Sequence, residues 1–238
     1  MAEGRVLGAG VLGGLLAIGL VWSGSHLEEA AWTWKQADRR VTVKGLAERQ
    51  VPADMALWPL HYSVTADRLE RLQAELAADE ERIRTFLQAH GFAAENISVT
   101  PPSVRDLQAE RNGRQAPPEE RYRAEATVLV RTPRVAEVKA AMPETGALVR
   151  DGVLLSPNYQ YRTEFLFTGL EGIKPDMIAA ATADARRAAE QFAEDSGSEV
   201  GAIQRANQGY FSIEDLDSYT PDIKRVRVVT TIDYALQG

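Results

Sequence analysis

Residues Val6–Trp22, VLGAGVLGGLLAIGLVW, form the one long stretch of this chain without a charge. Its seventeen residues sit at the short end of what crosses a bilayer, roughly 17–25. Nine are Leu, Ile or Val, and together they favour insertion by roughly 3 to 5 kcal/mol. Five are glycine, each costing about 1 kcal/mol in a helix in water, so a buried core helix is the weaker reading. Trp22 suits an interfacial anchor. Arg5 precedes the run, and Glu28 and Glu29 follow it. The positive-inside rule then keeps the N-terminus in the cytoplasm and exports the body. The expectation is a membrane anchor within residues 1–25. The alternative is a signal peptide cleaved near Ser23-Gly-Ser25, which exports the same body. Small residues recur four apart, at Gly4 and Gly8, Gly10 and Gly14, and Ala9, Gly13 and Ala17. In lipid that spacing lets helices approach closely.

Composition narrows what the exported part does. The chain has 238 residues, enough for one or two domains with a real core. A net charge of −7 argues against a nucleic-acid partner. The absence of cysteine removes disulfides, thiolate catalysis and cysteine-based zinc sites together.

Residues 26–40 read as a juxtamembrane connector, with Trp32 and Trp34 beside Lys35, Arg39 and Arg40. The body, 41–238, opens with VTVKGLAERQVPAD, Val41–Asp54. Val41–Val43 reads as a strand, and Gly45 signals a bulge or a close backbone approach. Leu57–Thr65 alternates, with Trp58, Leu60, Tyr62 and Val64 on one face. A long helix follows, opened by an Asp67–Glu70 capping box. Its stripe is Leu69, Leu72, Leu76, Ile83, Phe86 and Leu87, with Asp79 off it, and Gly91 ends it. A strand region over Ile97–Leu107 is interrupted by Pro101-Pro102, and Asp106–Glu120 is an exposed loop. Tyr122–Arg131 is a strand. Thr132-Pro133 opens a short helix presenting Val135, Val138 and Met142.

The second half repeats the pattern. Tyr159–Phe167 is predicted to be a strand, and Lys174-Pro175-Asp176 opens the second long helix. Its buried side is Ile178, Ala181, Ala185, Ala188, Ala189 and Phe192, alanine-rich enough to lie close against a sheet. Gly197 stops it. Val200–Ile213 is a strand pair or one strand bent at Gly209. Ser212–Asp222 is an acidic loop, and Arg225–Tyr234 is the last strand. Each half is strand–helix–strand–strand. The fold expected is α+β: duplicated units forming mixed sheet, covered by two long helices on one face.

No catalytic constellation emerges. His26, His61 and His90 show no close helical spacing of a zinc site. His90 suits the negative end of a helix. No Gly-x-Ser-x-Gly occurs, and Ser196-Gly-Ser198 is more simply a turn. Glu214, Asp215 and Asp217 lack the spacing of a calcium loop, which makes a solvated acidic loop the better reading. Arg121, Arg123, Arg225 and Arg227 read as solvent-side charges that blunt sheet edges, or as partners for an acidic neighbour across a subunit contact. No catalytic, cofactor-binding or metal residue is assigned.

Two segments together resemble the SIMPL-domain family of bacterial envelope proteins, which includes periplasmic immunogenic and oxidative-stress-defence members. They are VTVKGLAERQVPAD with ALWPLHYSV, Val41–Asp54 and Ala56–Val64, and ATADARRAAEQFAEDSGSEVGAIQRANQGYFSI, Ala181–Ile213. The N-terminal anchor is similar to that of the membrane-attached branch. The resemblance implies an exported body of repeated strand–helix–strand–strand units, homo-oligomeric assembly and no settled reaction. The expected function is a non-enzymatic structural or interaction protein, single-pass in the bacterial inner membrane with its body in the periplasm. The alternative is an exported ligand-binding or metal-independent catalytic domain.

Overall fold

The computed structural model of the chain describes residues 39–110, 119–156 and 161–238. The run Val6–Trp22, Ser25, most of the 26–40 connector, His26, the centre of the 106–120 loop and Tyr159 lie outside the described residues. Among the described residues no helix is long and apolar enough to cross a membrane.

The element order is β1 (Arg40–Pro52), β2 (Met55–Ala66), α1 (Leu69–Ala89), β3 (Ile97–Val99), β4 (Ser103–Asp106), β5 (Tyr122–Thr132), α2 (Val135–Ala141), α3 (Gly146–Arg150), β6 (Glu164–Leu166), α4 (Leu170–Asp195), β7 (Glu199–Gln208), β8 (Ser212–Asp215) and β9 (Ile223–Gln237). The fold is α+β. The strand–helix–strand–strand order recurs along the chain, but β6, the expected leading strand of the second unit, pairs with β2 in the first sheet. Its strands do not join one mixed sheet. They form two, β3–β5–β2–β6 with β4 on β5, and β1–β9–β7 with β8 on β9. The registers described for β2 with β5 and β6, for β5 with β3 and β4, and for β7 with β9 are all antiparallel. The reason lies in β5. It pairs with β2 from Ala56↔Thr132 to Ala66↔Tyr122, so the strand returning from α1 finds β2 taken and pairs beyond it.

The described residues fall into two compact units: 39–48 with Lys174–Phe211 and Arg227–Gly238, and Arg49–Ile173 with Ser212–Val226. In the larger unit, Trp58, Leu60 and Tyr62 of β2 and Ala126, Val128 and Val130 of β5 meet Ile83 and Leu87 of α1, Val138 and Ala141 of α2, and Leu148 of α3. Trp58 lies edge-on to Phe86 and to Phe92, with centroids 6.5 and 5.9 Å away.

Several boundaries differ from expectation. α1 starts at Leu69 behind Arg68, and no side chain caps it. The Asp67 carboxyl instead turns to Glu120 and to its own backbone N–H, with Arg71 at 4.0 Å, and these hold it below the usual carboxylate range. Leu69 is exposed at the helix start, whereas Asp79 is only 6 % exposed and takes Arg82 at 2.5 Å. Gly91 ends α1 at φ 81°, as the pattern requires. Thr132 Oγ1 accepts the Arg134 N–H at 3.2 Å, and α2 starts at Val135, with Pro133 ahead of it. A 3₁₀ turn, Met142–Thr145, then carries the chain into α3.

The strand expected over Tyr159–Phe167 shrinks to Glu164–Leu166. It reaches only Met55–Leu57 of β2, because Leu155 bridges Tyr62 farther along the same strand. α4 begins at Leu170, so Pro175 lies inside the helix. Asp54 fixes that start. Its carboxylate accepts the N–H of Thr168 at 2.8 Å and of Gly169 at 3.0 Å, orphan donors ahead of the first turn.

In the smaller unit α4 buries Met177, Ala181, Ala185, Ala189 and Ala193, one every fourth residue. Ala185 and Ala189 pack on Val43 of β1 and on Ile232 and Tyr234 of β9. Gly45 of β1 lies beneath them. A Cβ there would stand 1.9 Å from the Ala181 carbonyl oxygen and 2.4 Å from the Ala185 nitrogen. Here the close-approach reading of Gly45 is the right one. Phe192 leaves the buried side and is 60 % exposed, since the ladder advances to Ala189 and Ala193. The Val200–Ile213 region breaks into β7 and the start of β8, which both pair with β9 and not with each other, so it follows the bent-strand alternative, with the Gly209 N–H still on the Val229 carbonyl at 2.8 Å.

Candidate functional site

Strand alternation puts His61, Ser63 and Thr65 of β2 on the face away from the Trp58–Tyr62 core. On β5 it puts Thr127, Glu125 and Arg123 opposite them. His61 sends its carbonyl to the Ser156 N–H at 2.8 Å, and Ser63 sends its N–H to the Leu154 carbonyl at 3.1 Å. Both therefore occupy non-hydrogen-bonded positions toward β5, where facing side chains come closest. The short strap Leu154–Ser156 covers this edge, and the Ser63 and Ser156 hydroxyls lie 3.3 Å apart.

His61 is the centre of this face, at 7 % exposure. Its Nδ1 lies 2.9 Å from Thr127 Oγ1, and Tyr161 stacks on the ring at 3.9 Å, 12° from parallel. Thr127 is fixed in turn by Thr100, whose Oγ1 accepts its N–H at 3.1 Å. The Nε2 of His61 faces Glu125 at 3.9 Å, and Arg123 Nε lies 3.5 Å from the other oxygen of that carboxylate. Burial lowers the His61 pKa below its ordinary 6.5, against the pull of Glu125 and of the Ala126 backbone. A neutral imidazole between a hydroxyl and a carboxylate has the parts of a proton relay. The carboxylate is beyond hydrogen-bond reach and the hydroxyl is buried, so the geometry positions a ring more than it activates a nucleophile.

Beside the ring opens a cleft of about 560 Å³, walled by Trp58, Leu60, Met142, Leu155 and Tyr161, with Arg162 and Thr163 at one end. The same two residues border a second hollow of about 600 Å³. There Lys224 is buried and pairs with Asp215. Asp217 also lines it, and its carboxylate accepts the N–H groups of Tyr219 and Thr220 at 2.7 and 2.8 Å.

The residues weighed from sequence do not converge. His90 sits at the end of α1, with Nδ1 2.7 Å from the Phe86 carbonyl and Nε2 3.0 Å from Glu144. Those contacts raise its pKa above 6.5. Asp215 and Asp217 turn to different partners, and among the described residues no three His, Asp or Glu gather as a metal would need. Ser196 and Ser198 form the end of α4, where the Ser198 N–H returns to the Ala193 carbonyl at 2.8 Å. Arg121 takes Asp106 at 2.8 Å, and Arg227 faces Glu48 at 3.4 Å, so both find acids on their own chain. Thr127, Glu125 and Tyr161 escaped sequence reading because no local spacing joins them to His61. The available signal was the polar row His61-x-Ser63-x-Thr65 on a strand whose other face is apolar.

The SIMPL family model, described as a protein of unknown function (DUF541), matches residues 41–228. No curated protein matches the chain. Because the match takes in both halves of the repeated pattern, the chain belongs to the SIMPL family.

Proposed function

We propose that the chain is a membrane-anchored envelope protein. Its exported body acts as a non-enzymatic, homo-oligomeric structural and interaction protein, in the setting of envelope or oxidative stress resistance that the family resemblance implies. In this reading Val6–Trp22 holds it in the bacterial inner membrane with the body in the periplasm. The observation that carries assembly is β7. It is a ten-residue edge strand, exposed on both faces from Ala202 onward. Ile203 within it is 49 % exposed, and Tyr210 just beyond it is 100 % exposed. A strand of that length with two exposed faces and an open edge offers surface that another chain can cover. The test is the mass of the native protein extracted from membranes, by light scattering in detergent. An uncleaved multimer is expected. A strict monomer sinks the assembly, and full-length chain in the cytosol sinks the anchor.

A second reading, an exported ligand-binding domain, is supported by the cleft beside His61. Its test is a perturbation of the His61 ring resonances by a small-molecule library. If only surface residues respond, this reading fails.

A further inference from the structure

One part of the lining of the His61 cleft is not tied to the sheet. Trp58 and Leu60 belong to β2, Leu155 bridges Tyr62 of β2, and Tyr161 stacks on His61. Arg162 and Thr163 lead into β6. Met142 and Thr145 instead come from the 3₁₀ turn between α2 and α3. Turns of that kind have poorer hydrogen-bond geometry than an α-helix, and Pro143 within this one has no N–H to give. The Thr145 hydroxyl donates to the Met142 carbonyl at 2.9 Å. The turn's one charged residue, Glu144, reaches out of it to His90 at the end of α1.

The position of the His90 ring shows what that contact requires. Nδ1 lies 2.7 Å from the Phe86 carbonyl and Nε2 lies 3.0 Å from the Glu144 carboxylate, so both nitrogens face acceptors. A neutral imidazole has one N–H and satisfies one of them, whereas the protonated ring donates to both. The nearest cation, Arg134, has its own partners: it donates to the Gly91 carbonyl at 2.6 Å and pairs with Glu137 at 3.1 Å. Glu144 and the Phe86 carbonyl accordingly raise the His90 pKa, while burial lowers that of His61, which is neutral where His90 changes charge. His90 also packs on Phe86, with centroids 4.2 Å apart, and Phe86 lies against Trp58 of the cleft. One ring therefore joins the helix end behind Trp58 to the turn that carries Met142 and Thr145.

We propose that His90 and Glu144 form a proton-operated latch on the cleft: the charged ring holds the Met142–Thr145 turn to the end of α1 and keeps the cleft formed, and loss of its proton frees the turn. This deepens the ligand-binding reading above and rests on it for what the cleft is for. A preformed cleft binds without first being ordered, so a ligand binds more tightly while the latch is closed. By reciprocity, a ligand in the cleft tightens the hold of His90 on its proton.

The test titrates the full chain in detergent, with ¹³C-labelled methionine methyls, through the midpoint of the His90 ring protons. The Met142 methyl resonance is expected to step at that midpoint, and its relaxation by an uncharged nitroxide in solution to rise as the turn comes free. Glu144 is 64 % exposed, so substituting it leaves the core intact. Glu144→Gln supplies an amide that accepts from the charged ring and donates to the neutral one, and should hold Met142 at its low-pH position throughout. Glu144→Ala should hold it at the high-pH position throughout. A Met142 methyl that ignores the His90 midpoint, or that steps equally in Glu144→Ala, overturns the latch, as does a His90 midpoint below 6.5. The expected steps together with a His61 ring indifferent to the small-molecule library keep the latch and remove the ligand-binding reading. A responsive His61 ring with no Met142 step removes the latch alone.

Discussion

Gly45→Ala adds one methyl group to β1, and its cost follows from where that methyl lands. Its nearest neighbours are the Ala181 carbonyl oxygen at 1.9 Å and the Ala185 nitrogen at 2.4 Å, both main chain of α4. A side chain could swing aside, but a helix backbone cannot. Restoring an ordinary 3.4 Å contact requires α4 to retreat by about 1.5 Å. A gap of 0.5–1 Å already forfeits roughly a quarter to a half of each dispersion contact. Ala185 and Ala189, packed over Val43, Ile232 and Tyr234, share that loss. Asp184 would also lose its grip on the Leu46 N–H, now 2.9 Å away. Overpacking costs about 1–3 kcal/mol where side chains adapt, and a backbone clash sets the expectation higher, at about 3–5 kcal/mol. Hydrogen exchange on the full chain in detergent reads this by region. Amides of β1, α4 and β9 are expected to exchange about two to four orders of magnitude faster, with those of β2 and β5 as internal reference. Ala185→Gly added to Gly45→Ala gives the sharper check. It removes the Ala185 Cβ but neither of the two nearest atoms, so it should not restore protection. Rescue by that double variant, or acceleration under about fivefold in the single one, would refute the reasoning.

Other outcomes follow from groups already described. Asp54→Ala strips the carboxylate from the Thr168 and Gly169 N–H groups. It should cost about 1–2 kcal/mol in urea unfolding, and a loss below about 0.5 kcal/mol would show that water replaces the cap. The two described histidines should bend the stability–pH curve in opposite senses. His61 titrates below 6.5 when folded, so its contribution is present above 6.5 and lost as pH falls through the lowered midpoint. His90 titrates above 6.5, so its contribution is full below 6.5 and lost as pH rises through the raised midpoint. Ring-proton NMR titrations give both midpoints, and His61→Gln and Glu144→Gln should each flatten one limb. Two histidines titrating together at 6.5 would discard this account.

The parts of the fold legible in sequence are those set by local pattern. Period-two alternation gave β2, β5 and β9, and period-four alanine gave the buried side of α4. The misreadings share one physical origin, partners supplied from far along the chain. Asp67 followed by Glu70 has the spacing of a capping box, but Glu120 and Arg71 engage Asp67 first. Lys174-Pro175-Asp176 resembles a helix start, but Asp54 supplies the cap four residues earlier, and the helix runs through the proline. Tyr159–Phe167 alternates like a strand, but the strap at Leu155 takes the edge of β2 it would need, and Tyr161 goes instead to the face of His61. The His61 cluster was illegible for the same reason, since its members meet only once β2, β5 and the strap are in register.

The distribution of helices between the sheets connects these details. The larger unit spreads α1, α2 and α3 over its core, each contributing buried residues. The smaller unit has α4 for β1, β9 and β7. Gly45 and the alanine ladder draw that helix down onto β1 and β9, and the closer it sits the more completely it is committed to those two strands. On β7 its cover reaches Val200 and leaves the strand exposed from Ala202 onward. A larger residue at 45 would raise α4 and loosen this preference without giving β7 a cover of its own. The exposure of β7 beyond Val200 is therefore a consequence of the tight packing next to it.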